Sequence, residues 1–371
     1  MKVLLTATVQ SHICQFHRPL VELLHENECE VHVAARDNLA EKNGLKLDFV
    51  DKIYDVPFSR SPKSIDNVKA YKLLKKIIDE ENYDVVHCNT PMGGIVTRLA
   101  SRKAQKKGAK VYYTAHGFHF YKGACKKNWL IYYPIEKMFS RLTDKLITIT
   151  EEDYKLARDK FHCNVKHIHG VGVNTSKFDL ITLEQCEKFR EKQGWNDKFL
   201  ILCIGELNEN KNQTSLIRAI SKVIIDMPNT LLLLAGNGPK EEELRHLIEE
   251  KCLEKHVLLL GYRTDIEWFI QACDLVVSVS LREGLPVNIL EAMYCKKAVI
   301  VSDNRGHREL IVNKKNGYLV NAKDVQQIAN SIKYLINSTN IRVQMEKNTK
   351  EKVKLYTDKS VKEELKKIYF D

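Results

Sequence analysis

Short apolar runs alternate with amphipathic stretches along the whole 371-residue chain, and near residue 172 the pattern starts afresh. Strand candidates in the first half are Val3–Val9, Val31–Ala35, Val85–Cys88, Val111–Ala115 and Leu146–Thr150. Between them lie helical patterns such as Asn67–Asp79, whose Val68, Tyr71, Leu74, Ile77 and Ile78 recur along one stripe. Strands of this length alternating with helices mean βαβ units and a parallel sheet with right-handed crossovers. The second half repeats the pattern with Phe199–Ile204, Leu231–Leu234, Val257–Leu260, Leu275–Val279 and Ala298–Val301. The chain is also too long for one ordinary α/β core. The fold expected is therefore α/β, with two doubly wound parallel-sheet domains at residues 1–172 and 197–354. A polar stretch, 173–196, reads as the linker, and a C-terminal helix near 355–371 is expected to pack back on the first domain. In open parallel sheets ligands bind beyond the carboxyl ends of the strands. Two such sheets facing each other would gather both sets of loops around one cleft, so the chemistry is sought in loops that follow strands.

Composition narrows the partners. Hydrophobic residues at 44% and charged residues at 29% are ordinary for a globular chain and argue against long disorder. Met1–Thr6 has neither the long apolar core nor the small-residue cleavage pattern of a signal peptide and reads as a first strand. No apolar run approaches the roughly 18 residues that span a bilayer, so a cytoplasmic protein is expected. The ten cysteines are scattered without a C-x-x-C pair, a pattern of reduced thiols, not staples or a zinc site. Through residue 173 there are 28 Lys/Arg against 20 Asp/Glu, or +8, and in the remainder 31 against 28, or +3. A basic first half fits an anionic surface or ligand, or simply a solvated lysine-rich face. Nucleic acid is the weaker option, because the basic clusters form no recognisable binding module.

The most informative segment is Glu283-Gly284-Leu285-Pro286-Val287-Asn288-Ile289-Leu290-Glu291, directly after a strand. Pro286 suits the first turn of a helix, where its missing N–H is no loss. The free N–H groups of Val287 and Asn288 would then form an anion site at the helix start. A carboxylate on the loop and another about two turns in can grip different hydroxyls of an extended ligand. By itself the pair is also compatible with a capped helix that has one glutamate in its first turn. After the first strand of the second half comes Gly205-Glu206-Leu207-Asn208-Glu209-Asn210-Lys211, and after the next Leu234-Ala235-Gly236-Asn237-Gly238-Pro239. Glycines there permit a close backbone approach to a ligand, or a plain turn.

Taken together, Glu-x7-Glu around Gly-Leu-Pro, then Glu291-Ala292-Met293, Ala298–Asp303, Glu309-Leu310-Ile311 and Asn316–Val320, resemble the retaining glycosyltransferases of family GT4. That resemblance covers nearly the whole chain and is most specific between about 200 and 320. It implies the GT-B fold, two Rossmann-like domains facing across a cleft. It implies that Glu283 contacts a donor sugar, that Glu291 binds the nucleoside ribose, and that main-chain donors near Val287 and Asn288 hold the diphosphate. Lys211 matches the family's diphosphate-binding lysine, and a cation there offsets charge on the leaving group. Gly205, Gly236 and Gly238 fall in the donor loops, and Gly261–Asp265 matches the loop that packs on the nucleobase, making Tyr262 and Arg263 base contacts. Where many relatives carry arginine this chain has Glu206; either Glu206 points elsewhere, or Arg282 or Arg263 compensates.

In the first half Thr114-Ala115-His116-Gly117-Phe118-His119-Phe120 resembles a segment of polysaccharide-building members. There the histidine at the position of His116 sits by the reacting sugar, and a neutral imidazole both donates and accepts. Ser11, His12 and His119 are placed toward the acceptor without individual roles. The first loop, Val9-Gln10-Ser11-His12, lacks the glycine pair of many members. It also lacks the G-x-G-x-x-G of a dinucleotide-dependent oxidoreductase.

The resemblance thus implies transfer of a hexose or N-acetylhexosamine from a UDP-sugar, with retention, to a polyprenyl-diphosphate-linked saccharide in exopolysaccharide or capsule assembly. No cofactor or metal is expected, since the family usually needs none and no Asp-x-Asp motif is present. The partners expected are a nucleotide sugar, a lipid-linked acceptor and an anionic membrane surface at the inner face of the cell membrane, with no nucleic acid. Two alternatives stay open: a non-transferring UDP-sugar epimerase of the same fold, and a catalytically silent sugar-nucleotide-binding membrane scaffold.

Overall fold

A computed structural model describes residues 1–41 and 44–371. The chain forms two compact units, one of Met1–Gly172 with Asp358–Asp371, the other of Val173–Thr357.

The first unit holds strands β1 (Lys2–Val9), β2 (Glu30–Arg36), β3 (Lys52–Asp55), β4 (Val85–Asn89), β5 (Lys110–Ala115), β6 (Lys145–Thr148) and β7 (Asn164–His167). They lie in the order β3-β2-β1-β4-β5-β6-β7, and every pairing is parallel. Leu4, Leu5, Val33 and Val86 are wholly buried, because both faces of a central parallel strand are covered by helices. Strand order reverses between β1 and β4, so the loops that leave these two strands diverge and open a crevice between them. The C-terminal helix, Asp358–Phe370, buries Val361, Leu365 and Ile368 in this unit. Tyr369 Oη lies 2.5 Å from His87 Nδ1, and Glu364 Oε1 lies 2.6 Å from His169 Nδ1. A returning chain end is held here by polar contacts as well as by apolar burial.

The second unit holds β8 (Phe199–Ile204), β9 (Thr230–Ala235), β10 (Val257–Gly261), β11 (Leu275–Ser278), β12 (Ala298–Ser302) and β13 (Tyr318–Val320). Their order is β10-β9-β8-β11-β12-β13, again all parallel, with the reversal between β8 and β11. The stretch read as a linker folds as part of this unit. Phe178 and Trp195 are buried in its core, and Leu183–Lys192 is a helix closed by a capping box between Thr182 and Gln185. All ten cysteines are free.

Candidate functional site

In the second unit the chemistry gathers at the strand-order reversal. Gly205 leaves β8 with φ +152°, and a Cβ there would meet the Lys211 side chain at 3.0 Å. The missing side chain therefore gives Lys211 its path across the loop. Asn208 Oδ1 accepts the Lys211 N–H at 3.0 Å and closes the turn that delivers it. Glu283 arrives on the loop after β11, and Lys211 Nζ donates to its Oε1 at 2.7 Å. Residues 72 apart in sequence thus form a largely buried ion pair.

The helix that follows is Val287–Tyr294, with Pro286 as its N-cap in extended conformation, one position earlier than the first-turn role expected of it. Asn288 Nδ2 donates to Ile204 O at 2.9 Å, tying the helix start to the end of β8. Glu291 follows about one turn in, and Lys177 Nζ donates to its Oε1 at 3.0 Å. Lys177 was not singled out from the sequence; it sits in the stretch taken for a linker. The arrangement is a helix N-terminus flanked by two carboxylates, each held by a lysine.

Glycines 236 and 238 have a packing role in this unit. A Cβ on Gly236 would stand 2.1 Å from Gly205 O, and one on Gly238 would stand 2.3 Å from Leu207 O. Their lack of side chain serves the packing of two strand-end loops on one another. Tyr262 is exposed at the end of β10, and Arg263 forks onto Asp265 at 2.8 and 2.6 Å. Glu206 accepts from Asn208 Nδ2 at 2.9 Å, so it points to its own loop, and Arg263 is engaged with Asp265 instead of compensating for it. Asn210 Nδ2 donates to the backbone oxygen of Arg282 at 3.0 Å.

In the first unit the reversal between β1 and β4 is lined by uncharged polar groups. Thr90, leaving β4, has φ +63°, a strained value for a β-branched residue. Its Oγ1 accepts the Thr8 N–H at 3.1 Å and lies 2.7 Å from Thr8 Oγ1, which fixes the two strand ends together. His12 and His17, on the helix after β1 and just beyond it, converge with His116 from the end of β5. One ring nitrogen of each lies within 4.8 Å of the others, the spacing of a metal-ligand triad.

Hydrogen bonding orders two of these rings, His12 and His116. Asn89 Nδ2 donates to Thr6 O at 3.2 Å, so its Oδ1 is the atom facing His116 Nε2 at 3.3 Å. His116 Nε2 consequently carries the proton, and the facing His12 Nε2, 3.2 Å away, is an acceptor. Burial pushes His116 down to about 4 and lowers His12 and His17 as well, so all three are neutral at pH 7. His17, also not singled out from the sequence, is buried with Nε2 unpartnered.

A cavity of about 650 Å³ opens beside the triad, lined among others by Thr8, His12, Thr90, His119 and Tyr132. Its size suits a small-molecule or glycan ligand. His119 stacks on Tyr132 with centroids 4.6 Å apart. Ser11 lines the cavity too, but its Oγ accepts from Asn38 Nδ2 at 2.9 Å and its N–H donates to Asn38 Oδ1 at 3.1 Å. Both bonds anchor the loop and leave the Ser11 hydroxyl hydrogen free to donate.

Two Rossmann-like parallel sheets, with a lysine–glutamate pair and a helix start at the reversal of the second, define a glycosyltransferase of the GT-B class. The comparisons place it further. The "Glycosyl transferases group 1" model matches residues 185–352 and the "Glycosyltransferase Family 4" model residues 18–176. EpsD of Bacillus subtilis (strain 168), named as a glycosyltransferase, is 40% identical over 371 residues, covering 99% of this chain and 96% of that one. The chain belongs to this glycosyltransferase family and is an enzyme of that kind. An Escherichia coli UDP-Gal:alpha-D-GlcNAc-diphosphoundecaprenol alpha-1,3-galactosyltransferase is 27% identical, covering 90% of this chain and 86% of its own. Among solved structures, Anabaena Alr3699/HepE in complex with UDP and glucose shares the fold with a TM-score of 0.80, at 20% identity and 99% coverage of both chains.

Proposed function

We propose that the chain transfers a hexosyl or N-acetylhexosaminyl group from a UDP-sugar, with retention, to a polyprenyl-diphosphate-linked saccharide during exopolysaccharide or capsule assembly. The observation that carries this reading is the Lys211–Glu283 pair beside the helix start at Pro286. A diphosphate at that helix start meets unpaired main-chain N–H groups and the positive end of the helix dipole. Lys211 then turns from Glu283 to the diphosphate and offsets charge as the glycosidic bond breaks. Glu283, released, accepts from hydroxyls of the sugar, while Glu291 accepts from the ribose. The neutral His116 and His12 donate to and accept from sugar hydroxyls in the first unit. On this reading Lys211 and the helix supply the electrostatics that a metal supplies elsewhere, and no cofactor takes part.

The acceptor class rests on relatives. The Escherichia coli enzyme above and a Campylobacter jejuni N,N'-diacetylbacillosaminyl-diphospho-undecaprenol alpha-1,3-N-acetylgalactosaminyltransferase, 25% identical over 96% of this chain, both bear names with a diphospho-undecaprenol acceptor. A peripheral site on an anionic membrane face fits the helix Lys126–Phe139, which exposes Leu130, Ile131, Tyr132 and Met138 beside Lys126 and Lys127. Among the described residues no helix is long and apolar enough to cross a membrane.

The test is UDP release across a panel of nucleotide sugars, with and without a polyprenyl-diphosphate saccharide, followed by NMR of the product. Acceptor-dependent release and an α-linked product are expected. Turnover of donor without acceptor would make the protein an epimerase, and binding without turnover a scaffold.

A further inference from the structure

Two of the three histidines beside the cavity of the first unit come from one break in the chain. The helix Gln10–Phe16 ends at His17, and the next, Arg18–Glu26, follows with Pro19 in its first turn. The break sets the His12 and His17 rings 5.4 Å apart between centroids. The end of β5 brings His116 to 4.5 Å from the first and 5.4 Å from the second. The His12 and His116 Nε2 atoms are 3.2 Å apart. Two nitrogens bonded at about 2.0–2.1 Å to one tetrahedral ion stand about 3.3 Å from each other, so this pair already has ligand spacing. One nitrogen of His17 lies within 4.8 Å of one on each of them, which leaves at most about 1.5 Å to close. A void of about 20 Å³ lined by His17 and His87 gives the ring room to turn.

The lone pairs an ion needs are present. All three rings are neutral at pH 7, and a neutral imidazole carries one ring nitrogen that accepts. His12 Nε2 already turns its lone pair toward His116. His116 ligates through Nε2 once its proton has moved to Nδ1, a change of tautomer that leaves the ring neutral. His17 Nε2 has no hydrogen bond to give up. Entry is from the cavity, because His12 is part of the cavity lining as well as of the triad. Three imidazole nitrogens, with no carboxylate or thiolate among them, suit zinc, cobalt or copper and not the oxygen-seeking magnesium and calcium.

We propose that His12, His17 and His116 bind a zinc-class divalent ion, and that this ion inhibits the enzyme. The inhibition rests on the reading above, in which His12 and His116 hold sugar hydroxyls; nitrogens bound to an ion no longer can. His17 has no part in that reading, so it separates ion binding from turnover.

The test titrates the full chain, stripped with EDTA, with cobalt(II), whose visible spectrum reports its ligands. The parent should give the intense bands of a tetrahedral site, without the charge-transfer band that a cysteine thiolate would add, and zinc should displace them. In His17→Gln the affinity for cobalt should fall at least about tenfold, the least that loss of even a supporting partner costs a metal site. Zinc should inhibit UDP release by the parent, and EDTA should restore it. His17→Gln should keep the kcat of the parent and need correspondingly more zinc for inhibition. Magnesium should neither bind nor inhibit. A parent without a cobalt spectrum, or equal cobalt affinity in His17→Gln, would overturn the site, and cobalt or zinc bound with UDP release undiminished would overturn the inhibition. If His17→Gln does not fold, His12→Gln replaces it in the cobalt titration: loss of the spectrum supports the site and an unchanged spectrum refutes it. A parent that releases UDP from no sugar removes the transfer reading, and with it the inhibition, while the cobalt titration still decides the site.

Discussion

The two units share one strand order, to which the first adds a seventh strand, and they place opposite kinds of side chain at its reversal. At the strand reversal of the first, the groups at the strand ends are neutral, Thr8, Thr90, Asn89 and three histidines kept uncharged by burial, with Arg60 and Glu136 elsewhere on the lining of the adjoining cavity. At the reversal of the second they are ionic: Lys211 with Glu283 and Lys177 with Glu291, around a helix start. A doubly wound sheet fixes where a ligand is met, and the side chains at the strand ends fix what kind. Neutral donors and acceptors suit hydroxyl-rich glycans. Paired charges suit a ligand that carries charge and can take over one partner of each pair.

If this contrast is right, the ionic site should be the more costly to damage. Lys211→Ala is expected to lower kcat by about 10²–10³, the range for losing one preorganised electrostatic group from a transition state. His116→Gln should cost less, because a neutral hydrogen bond is weaker. Steady-state UDP release for both variants checks it; a larger loss at His116 breaks the comparison.

The next effect reads the neutral site through pH. A histidine held neutral in the fold takes up a proton more readily when unfolded, so stability is complete above the ordinary value near 6.5. It is then lost as pH falls toward about 4, the value of His116, and that residue alone accounts for roughly 3 kcal/mol at most. His17 and His12 act in the same direction. Urea melts at pH 7.5 and 5 should show the parent losing stability at acid pH, and His116→Gln should flatten that loss. An unchanged acid loss in the variant would mean that His116 is charged in the fold.

How far the sequence carried this contrast depends on where each residue lies. The central strands were readable because burial on both faces gives unbroken apolar runs, as in Leu200-Ile201-Leu202. β3, β7 and β13 escaped because they are edge or near-edge strands: Lys52–Asp55 is mostly exposed, Asn164–His167 is polar, and Tyr318–Val320 is three residues long. The linker reading failed for a related reason. Leu183–Lys192 shows mostly charged residues, and the anchors that fix it, Phe178 and Trp195, flank it at a distance. Thr182 and Gln185 at capping-box spacing were the available signal. At the sites, Lys211, Glu283 and His116 stood in motifs after strands. Lys177 and His17 meet Glu291 and the other two histidines only because the fold brings them together, and no local pattern marks them.

A smaller effect sharpens the ionic side. Glu291→Gln keeps the shape but removes the charge that Lys177 neutralises, and UDP affinity should fall about tenfold, as for one charge-assisted hydrogen bond. Lys177→Met should leave kcat nearly intact, since its partner is expected to touch the ribose, away from the bond that breaks. Isothermal titration with UDP and a kcat measurement separate the two, and a collapse of kcat in Lys177→Met would move Glu291 to the reacting end.

The smallest effect concerns the basic surface of the first unit. Lys126 and Lys127 lie at the start of a helix that also exposes Leu130 and Met138, so charge and apolar area stand on one element. Each lysine near an anionic bilayer contributes about 1 kcal/mol, and the contribution fades with salt. Leu130→Ser removes apolar area and should weaken binding at any salt. Lys126→Gln with Lys127→Gln should lower binding to phosphatidylglycerol vesicles only at low ionic strength, and leave binding to neutral vesicles as it was. Sedimentation with vesicles of both compositions at two salt concentrations tells these apart. Equal binding of the parent to anionic and neutral vesicles would detach the +8 of the first half from any membrane, and leave the neutral histidine site beside an ordinary solvated lysine face.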